Sequence, residues 1–110
     1  MRDQVDLKGA SGQVLRFMMI RDGRPLSPMG GNYAYLTPDG DGYRVLCLGE
    51  TQNLLKHARD RWDEAVQMHG PAHLYVRLNI SERIRQQEHA DLLAGIHPAM
   101  NATEPTKRTV

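Results

Sequence analysis

Four short stretches of the chain are rich in apolar and β-compatible residues and predict strands. The clearest covers residues 73–80, HLYVRLNI, in which every second residue is apolar. The others are residues 13–20, 32–37 and 43–49. The Gly- and Asp-rich turn at 38–42 predicts that the last two strands pair as an antiparallel hairpin.

Two longer stretches place apolar residues at helical spacing. The first begins at Thr51, whose hydroxyl is a candidate N-cap, and stops at Gly70. The second is capped by Ser81, runs to about Ala94 and ends at Gly95. The apolar face of the first helix consists of Leu54, Leu55, Ala58, Trp62, Ala65 and Val66.

The predicted element order is β-β-β-α-β-α, which indicates an α+β fold with a small, mostly antiparallel sheet flanked by helices. A chain of 110 residues has room for one domain, and we place that domain at residues 13–101. Residues 1–12 are small and polar and predict a flexible N-terminal arm. Residues 102–110 predict a flexible tail.

The composition excludes several classes of protein. Charged residues make up 25% of the chain and the formal net charge is +1, so any nucleic-acid binding must use a local basic patch. The single cysteine, Cys47, excludes an internal disulfide and a Cys-rich zinc site. Because the chain has no long apolar run, we expect no membrane span and no secretion signal, and a cytoplasmic location.

One charged residue does not fit the apolar stripe of the second helix. That stripe consists of Ile84, Glu88, Leu92 and Ile96, which are four residues apart. A lone buried carboxylate costs several kcal/mol unless it is paired or bound to a metal. Glu88 is therefore either at the rim of the helix interface near Arg85 or Lys56, or a metal ligand or acid/base group at the mouth of a cleft.

Several short motifs occur in a fixed order along residues 30–101. They are GNY at 31–33, CLGETQNL at 47–54, RDRWDEA at 59–65, and the spacing E-x3-L-x5-P-x2-N that ends at Asn101. Together, in this order and at these distances, they resemble the GIY-YIG nuclease domain. The resemblance implies a GIY-YIG-like fold over residues 30–101.

The resemblance also implies a mechanism, in which a tyrosine helps to activate water and a helix arginine steadies the scissile phosphate. A glutamate then holds one divalent cation, Mg²⁺ or Mn²⁺, and DNA is the expected partner. Carried over residue by residue, Tyr33 is the tyrosine and Glu88 the catalytic metal ligand. Gly49 matches the glycine of the second triplet and Asn101 the terminal asparagine.

Three positions depart from the family pattern. Cys47 replaces the second-triplet tyrosine, Glu50 replaces a frequent lysine, and His57 stands where the helix arginine is expected. A neutral imidazole lacks the fixed charge and the forked donors of a guanidinium. Arg61, one turn further along the helix, is therefore a candidate replacement, although both side chains also suit a solvated helix flank.

Two further residues are candidates for binding substrate. Tyr35 shares a strand face with Tyr33, although tyrosines also commonly pack on sheets. Arg77 shares the polar face of its strand with His73 and Tyr75, and this face is either the lining of a groove or plain exposed surface.

Two functions remain open from the sequence. The first is a metal-dependent endonuclease that cleaves phosphodiester bonds in DNA, which requires Tyr33 and Glu88 to meet in one open pocket. The second is a catalytically degenerate scaffold that binds nucleic acid or protein, and the departures from the pattern favour it. Its basic surface would be formed by Arg16, Arg21, Arg24, Lys107 and Arg108. The oligomeric state stays undetermined.

Overall fold

A computed structural model of the chain describes residues 1–21 and 24–102, the side chain of Ala102 excepted. The fold is a small α+β domain with a five-stranded antiparallel sheet and several helices. The strands are β1 (Gln4–Lys8), β2 (Val14–Met19), β3 (Gly31–Asp39), β4 (Gly42–Thr51) and β5 (His73–Leu78). The helices are α1 (Leu54–His57), α2 (Trp62–His69), α3 (Glu82–Ile96) and α4 (Ala99–Ala102).

The strands lie in the order β1-β2-β5-β3-β4, and every neighbouring pair is antiparallel. The four strands predicted from the sequence are confirmed with shifted ends, and the predicted hairpin is the β3–β4 pair. Successive side chains of a strand point to opposite faces. One face packs against α1 and α2, and we call it the α1–α2 face; the other packs against α3, and we call it the α3 face.

Each face has its own apolar core. The core of the α1–α2 face is formed by Tyr35, Cys47, Leu54, Ala58, Ala65, Leu74 and Met100, among others. The core of the α3 face is formed by Val5, Leu7, Leu15, Phe17, Ala34, Leu36, Leu48, Tyr75 and Leu92. The predicted polar face of residues 73–80 is therefore wrong at Tyr75, which is fully buried beneath α3.

The prediction of a flexible arm over residues 1–12 is wrong. Residues 4–8 form β1, in which Val5 and Leu7 are buried on the α3 face. Residues 9–12 then lie against α3, where Ser11 donates from its backbone N and its hydroxyl to the Asp91 carboxylate, both at 2.8 Å. The alternation of Val5 and Leu7 was the available sequence signal for this strand.

The predicted helix from Thr51 to Gly70 is broken into α1 and α2. The observed N-cap is Asn53, whose side chain accepts from the backbone N of Lys56 at 3.1 Å. The break is occupied by the Tyr35 hydroxyl, which donates to the carbonyl of Ala58 at 2.7 Å and accepts from the backbone N of Arg61 at 3.2 Å. Because a phenol from the sheet bonds these backbone groups, the helix does not continue through them.

The helix predicted from Ser81 is confirmed, and Ser81 accepts from the backbone N of Ile84. It passes through Gly95, however, and ends at His97 in the left-handed conformation, with φ of 56°. A Cβ at Gly95 would lie 2.7 Å from the backbone N of Ala10, so glycine is required here for close packing and not for helix termination. The predicted tail falls outside the described residues from 103 onwards.

The sheet curls around α3 so that its two edge strands approach each other. Helix α3 contacts both β1 and β4. The hydroxyl of Tyr43, on β4, donates to the carbonyl of Asp6, on β1, at 3.2 Å. Within the described part of the chain, no helix has the length and apolar character needed to cross a membrane.

Candidate functional site

Glu88 is buried on the α3 face with its charge compensated. Its exposed fraction is 8%, so it does not lie at the rim, and its partners are neither Arg85 nor Lys56. Oε1 of Glu88 accepts from Nε of Arg77 at 3.1 Å and from the side-chain amide of Asn79 at 2.7 Å. Strand β5 and the loop after it thus supply the groups that hold the α3 carboxylate.

A wider polar network surrounds this ion pair. The Asn79 amide also donates to the side-chain oxygen of Asn32 at 2.9 Å, and the Asn32 amide donates to the backbone carbonyl of Arg85. The guanidinium of Arg85, only 3% exposed, bonds Glu50 at 2.7 Å and the carbonyls of Asn79 and Ile80. Two arginines and two glutamates therefore neutralise each other inside this network, which fixes α3 on the ends of three strands.

Tyr33 lies on the opposite face of the sheet. It is half-buried against the core of the α1–α2 face, and its ring centroid lies 5.8 Å from that of Tyr35. Its cross-strand partner Gly49 provides the space for the ring, because a Cβ at Gly49 would lie 2.1 Å from a ring carbon of Tyr33. Tyr33 and Gly49, the two motif positions, are therefore in direct packing contact.

Tyr35 is a core residue. It is fully buried, packs edge-on against Trp62 with centroids 5.1 Å apart, and bonds the α1–α2 connection. Burial raises the pKa of its hydroxyl, so the phenol stays protonated as a donor at neutral pH. The prediction that Tyr35 faces substrate is wrong, since its ring is fully buried.

Arg61 and His57 are both engaged by neighbours on the helical segment. Arg61 donates two parallel bonds to Glu64, at 3.0 and 2.7 Å, and a third to the carbonyl of Met100 at 2.9 Å. The ring nitrogen Nδ1 of His57 lies 2.9 Å from the Asp60 carboxylate, and both side chains are exposed. Arg61 therefore holds the start of α2 to α4, and His57 lies on the solvated helix flank.

Asn101 binds the free edge of β4. Its side chain accepts from the backbone N of Leu48 and donates to the carbonyl of Leu48, both at 2.8 Å. This double contact reproduces the pattern of a neighbouring strand over one residue. Cys47 is buried in the core of the α1–α2 face, where it packs as a small apolar residue.

The contacts made by Oε1 of Glu88 do not fit a divalent cation. Its nearest polar neighbours are the guanidinium of Arg77 and the amide of Asn79, which are nitrogen donors, whereas Mg²⁺ and Mn²⁺ are held by oxygen ligands. Across residues 1–21 and 24–102, no three His, Cys, Asp or Glu side chains are grouped so that they could hold a metal ion.

The predicted meeting of Tyr33 and Glu88 in one pocket is wrong. Tyr33 follows Asn32 on the strand, and Asn32 points into the Glu88 network, so Tyr33 points away from it. Sequence reasoning also missed Asn32, Asn79 and the Glu50–Arg85 pair. The alternation of polar residues in RLN at 77–79 was the only available signal for them.

Comparisons with protein-family models, with curated proteins and with solved structures find no match to this chain. The GIY-YIG resemblance therefore rests on the motifs in the sequence and enters only the proposal that follows.

Proposed function

We propose that this chain is a GIY-YIG-like domain that binds DNA without cleaving it. The observation that carries the proposal is the state of Glu88, whose carboxylate is bound by Arg77 and Asn79 across the sheet from Tyr33. Hydrolysis would need the acid and the water-activating group at the same phosphate, because each acts within hydrogen-bond or ligand distance.

The two candidate cationic groups for the phosphate, Arg61 and His57, also support a domain that does not cleave DNA. Arg61 has its fork occupied by Glu64, and His57 lies beside Asp60. A guanidinium held in a bidentate pair offers less positive charge to a phosphate than an unpaired one. The domain thus retains the order of the family motifs while its candidate catalytic groups make contacts within the protein.

Binding to DNA is supported by exposed cations beside α1. Lys56 and Arg59 are both exposed, and no ion pair among the described residues involves either of them. The loop that follows Arg24 runs alongside α1, because the backbone N of Leu55 donates to the carbonyl of Ser27 at 2.9 Å. Arg24, Lys56 and Arg59, which we call the α1 cations, would contact phosphates and give an affinity that falls as salt rises.

The test combines cleavage and binding on the same protein. Supercoiled plasmid should remain intact with Mg²⁺ or Mn²⁺, whereas a labelled DNA duplex should bind in fluorescence anisotropy. The double variant Lys56→Glu/Arg59→Glu should weaken that binding by about tenfold or more at low salt. The matched control Lys8→Glu/Arg44→Glu reverses the same number of exposed charges elsewhere and should change the affinity much less.

A metal-dependent DNA endonuclease is the second candidate. It is favoured by one observation, that both hydrogen bonds accepted by Glu88 end on Oε1, which leaves Oε2 as an oxygen that can face a cation. It predicts nicking with Mg²⁺ or Mn²⁺ that Glu88→Gln abolishes. Such nicking would overturn the proposal of a non-cleaving domain.

A further inference from the structure

The two edges of the sheet face each other across an open gap. Among the described residues, β1 pairs only with β2 and β4 only with β3. An edge strand directs part of its backbone N–H and C=O groups outward, which makes it a template for another strand. On β4 the outward groups of Leu48 are taken by Asn101, so the open part of this edge lies before it.

A cavity of about 570 Å³ occupies this gap. It is lined by residues 6–8 of β1, residues 43–46 of β4, and Ile96 and His97 at the end of α3. The bond from Tyr43 to the carbonyl of Asp6 separates it from a second cavity of about 480 Å³. One strand placed between two others needs a gap of two strand spacings, about 9.5 Å, which a tyrosine side chain with its hydrogen bond can span.

The strand directions also leave room for a single additional strand. Because all four pairings are antiparallel, the first and fifth strands in the order, β1 and β4, run in the same direction. One strand placed between them would therefore be antiparallel to both. It would close the curled sheet into a six-stranded barrel and satisfy both edges, which is the usual way in which all-antiparallel sheets remove their edges.

The side chains around the gap specify the chemistry of that strand. Val45 and Ile96 are half-buried on the α3 face next to the buried Leu7, and they offer an apolar surface to the gap. Lys8 follows the inward residue Leu7, and Arg44 precedes the inward residue Val45. Both therefore lie on the outer face of the sheet, one on each side of the gap. The carboxylate of Asp6 in the same cavity is bound to Arg16, which leaves a net positive rim.

We propose that the gap between β1 and β4 binds an extended peptide segment of a partner protein in which apolar and acidic residues alternate. The apolar side chains cover Val45 and Ile96, and the acidic ones lie between Lys8 and Arg44. The backbone bonds both edges over about three residues, the length of 44–46 at about 3.3 Å per residue, because Tyr43 itself crosses the gap to the Asp6 carbonyl. The chain's own residues 103–110 are a poor occupant because they carry Lys107, Arg108 and a proline, Pro105.

The experiment uses a fluorescein-labelled peptide of alternating Glu and Val and measures its binding to the whole chain by anisotropy. Its Lys/Val counterpart should bind at least about tenfold more weakly, as should the Glu/Val peptide to Lys8→Glu/Arg44→Glu. The double variant Lys56→Glu/Arg59→Glu is the matched control and should bind the peptide unchanged. Circular dichroism on both variants establishes that they are folded.

Backbone N-methylation separates this geometry from other modes of binding. In an extended strand, alternate N–H groups point to opposite neighbours, so methylating either alternate set should weaken binding, since both edges are used. Hydrogen exchange should slow in residues 4–8 and 43–46 on binding. The proposal would be overturned if methylation of one alternate set of N–H groups left the affinity unchanged, or if the Glu/Val peptide did not bind. It would also be overturned if a DNA duplex displaced the peptide through Lys8 and Arg44.

Discussion

The α3 face carries a polar network at the positions where the α1–α2 face carries an aromatic cluster. The residues concerned are immediate neighbours along the strands, since Asn32 precedes Tyr33 and Gly49 precedes Glu50. On the α3 face, charged and amide side chains hold α3 to the sheet. On the α1–α2 face, the ring of Tyr33 lies on Gly49. The comparison shows that motif residues adjacent in sequence serve opposite layers of the domain.

The two regions also respond differently to substitution. The network depends on complete pairing, because removal of one member leaves a buried charge without its partner. The aromatic cluster depends on shape, because a single added methyl group collides with a ring. Four predictions follow from this difference, in order of decreasing effect.

Arg85→Met should destabilise the domain most, by about 3–5 kcal/mol in chemical unfolding, because it leaves Glu50 and two backbone carbonyls without the guanidinium. The matched control is Arg83→Met, an exposed arginine on the same helix, which should cost little. Adding Glu50→Leu to Arg85→Met should recover part of the loss. A loss no greater than that of the control would show that the network does not hold α3.

Gly49→Ala should destabilise by about 1–3 kcal/mol, because the new Cβ collides with the Tyr33 ring. In a Tyr33→Ala background the same change should cost much less, because the obstructing ring is gone. A double-mutant cycle by thermal or urea unfolding measures this coupling. Equal costs in the two backgrounds would contradict the ring-on-glycine contact.

Tyr35→Phe should destabilise by about 1–2 kcal/mol, because the Ala58 carbonyl and the Arg61 backbone N lose the hydroxyl that both bond. The substitution should also change how the free energy of unfolding depends on pH in alkaline solution. Burial raises the pKa of Tyr35 above its ordinary value of 10.0, so the stability it contributes is complete below pH 10 and declines as the pH rises further. Measured between about pH 9 and pH 11, the stability of the Phe variant should fall less steeply but not stay constant, because Tyr43 and Tyr75, whose pKa values are also raised by desolvation, still contribute.

The smallest effect is expected for Glu64→Gln in acid. Hydrogen bonds from Arg61 lower the pKa of Glu64, so its contribution is present above the ordinary value of 4.5 and is lost as the pH falls below it. The variant should be slightly less stable at neutral pH and should show a flatter pH dependence below about pH 5. If the stability of the variant fell as steeply in acid as that of the unchanged protein, the Arg61–Glu64 pair would contribute nothing measurable to stability.

Strands β2 to β5 and helix α3 were predictable because their patterns are local. The alternation in residues 73–80 and the Ser81 cap each lie within a few residues of the structure they determine. The break between α1 and α2 was not predictable, because a tyrosine from 23 residues earlier supplies the interrupting hydroxyl. Gly95 was wrongly predicted to end the helix, because its actual role is to let Ala10, which is distant in sequence, pack closely against α3.

The candidate site was less predictable than the fold. The motif positions identified Glu88 and Tyr33 as unusual, and both do have specific environments. Which face each one occupies depends on strand register, and a shift of one residue reverses the face. The number of residues between Tyr33 on a strand and Glu88 on a helix does not show which face of the sheet each one occupies. Their separation is therefore visible only in the structure.

The contact of Ser11 with Asp91 joins residues 80 positions apart in the chain. During synthesis β1 leaves the ribosome well before α3, so β1 has no helix to pack against until α3 has also emerged. Contacts that wait for such distant partners slow folding. We therefore expect the last kinetic phase of refolding to report the docking of residues 9–12 on α3.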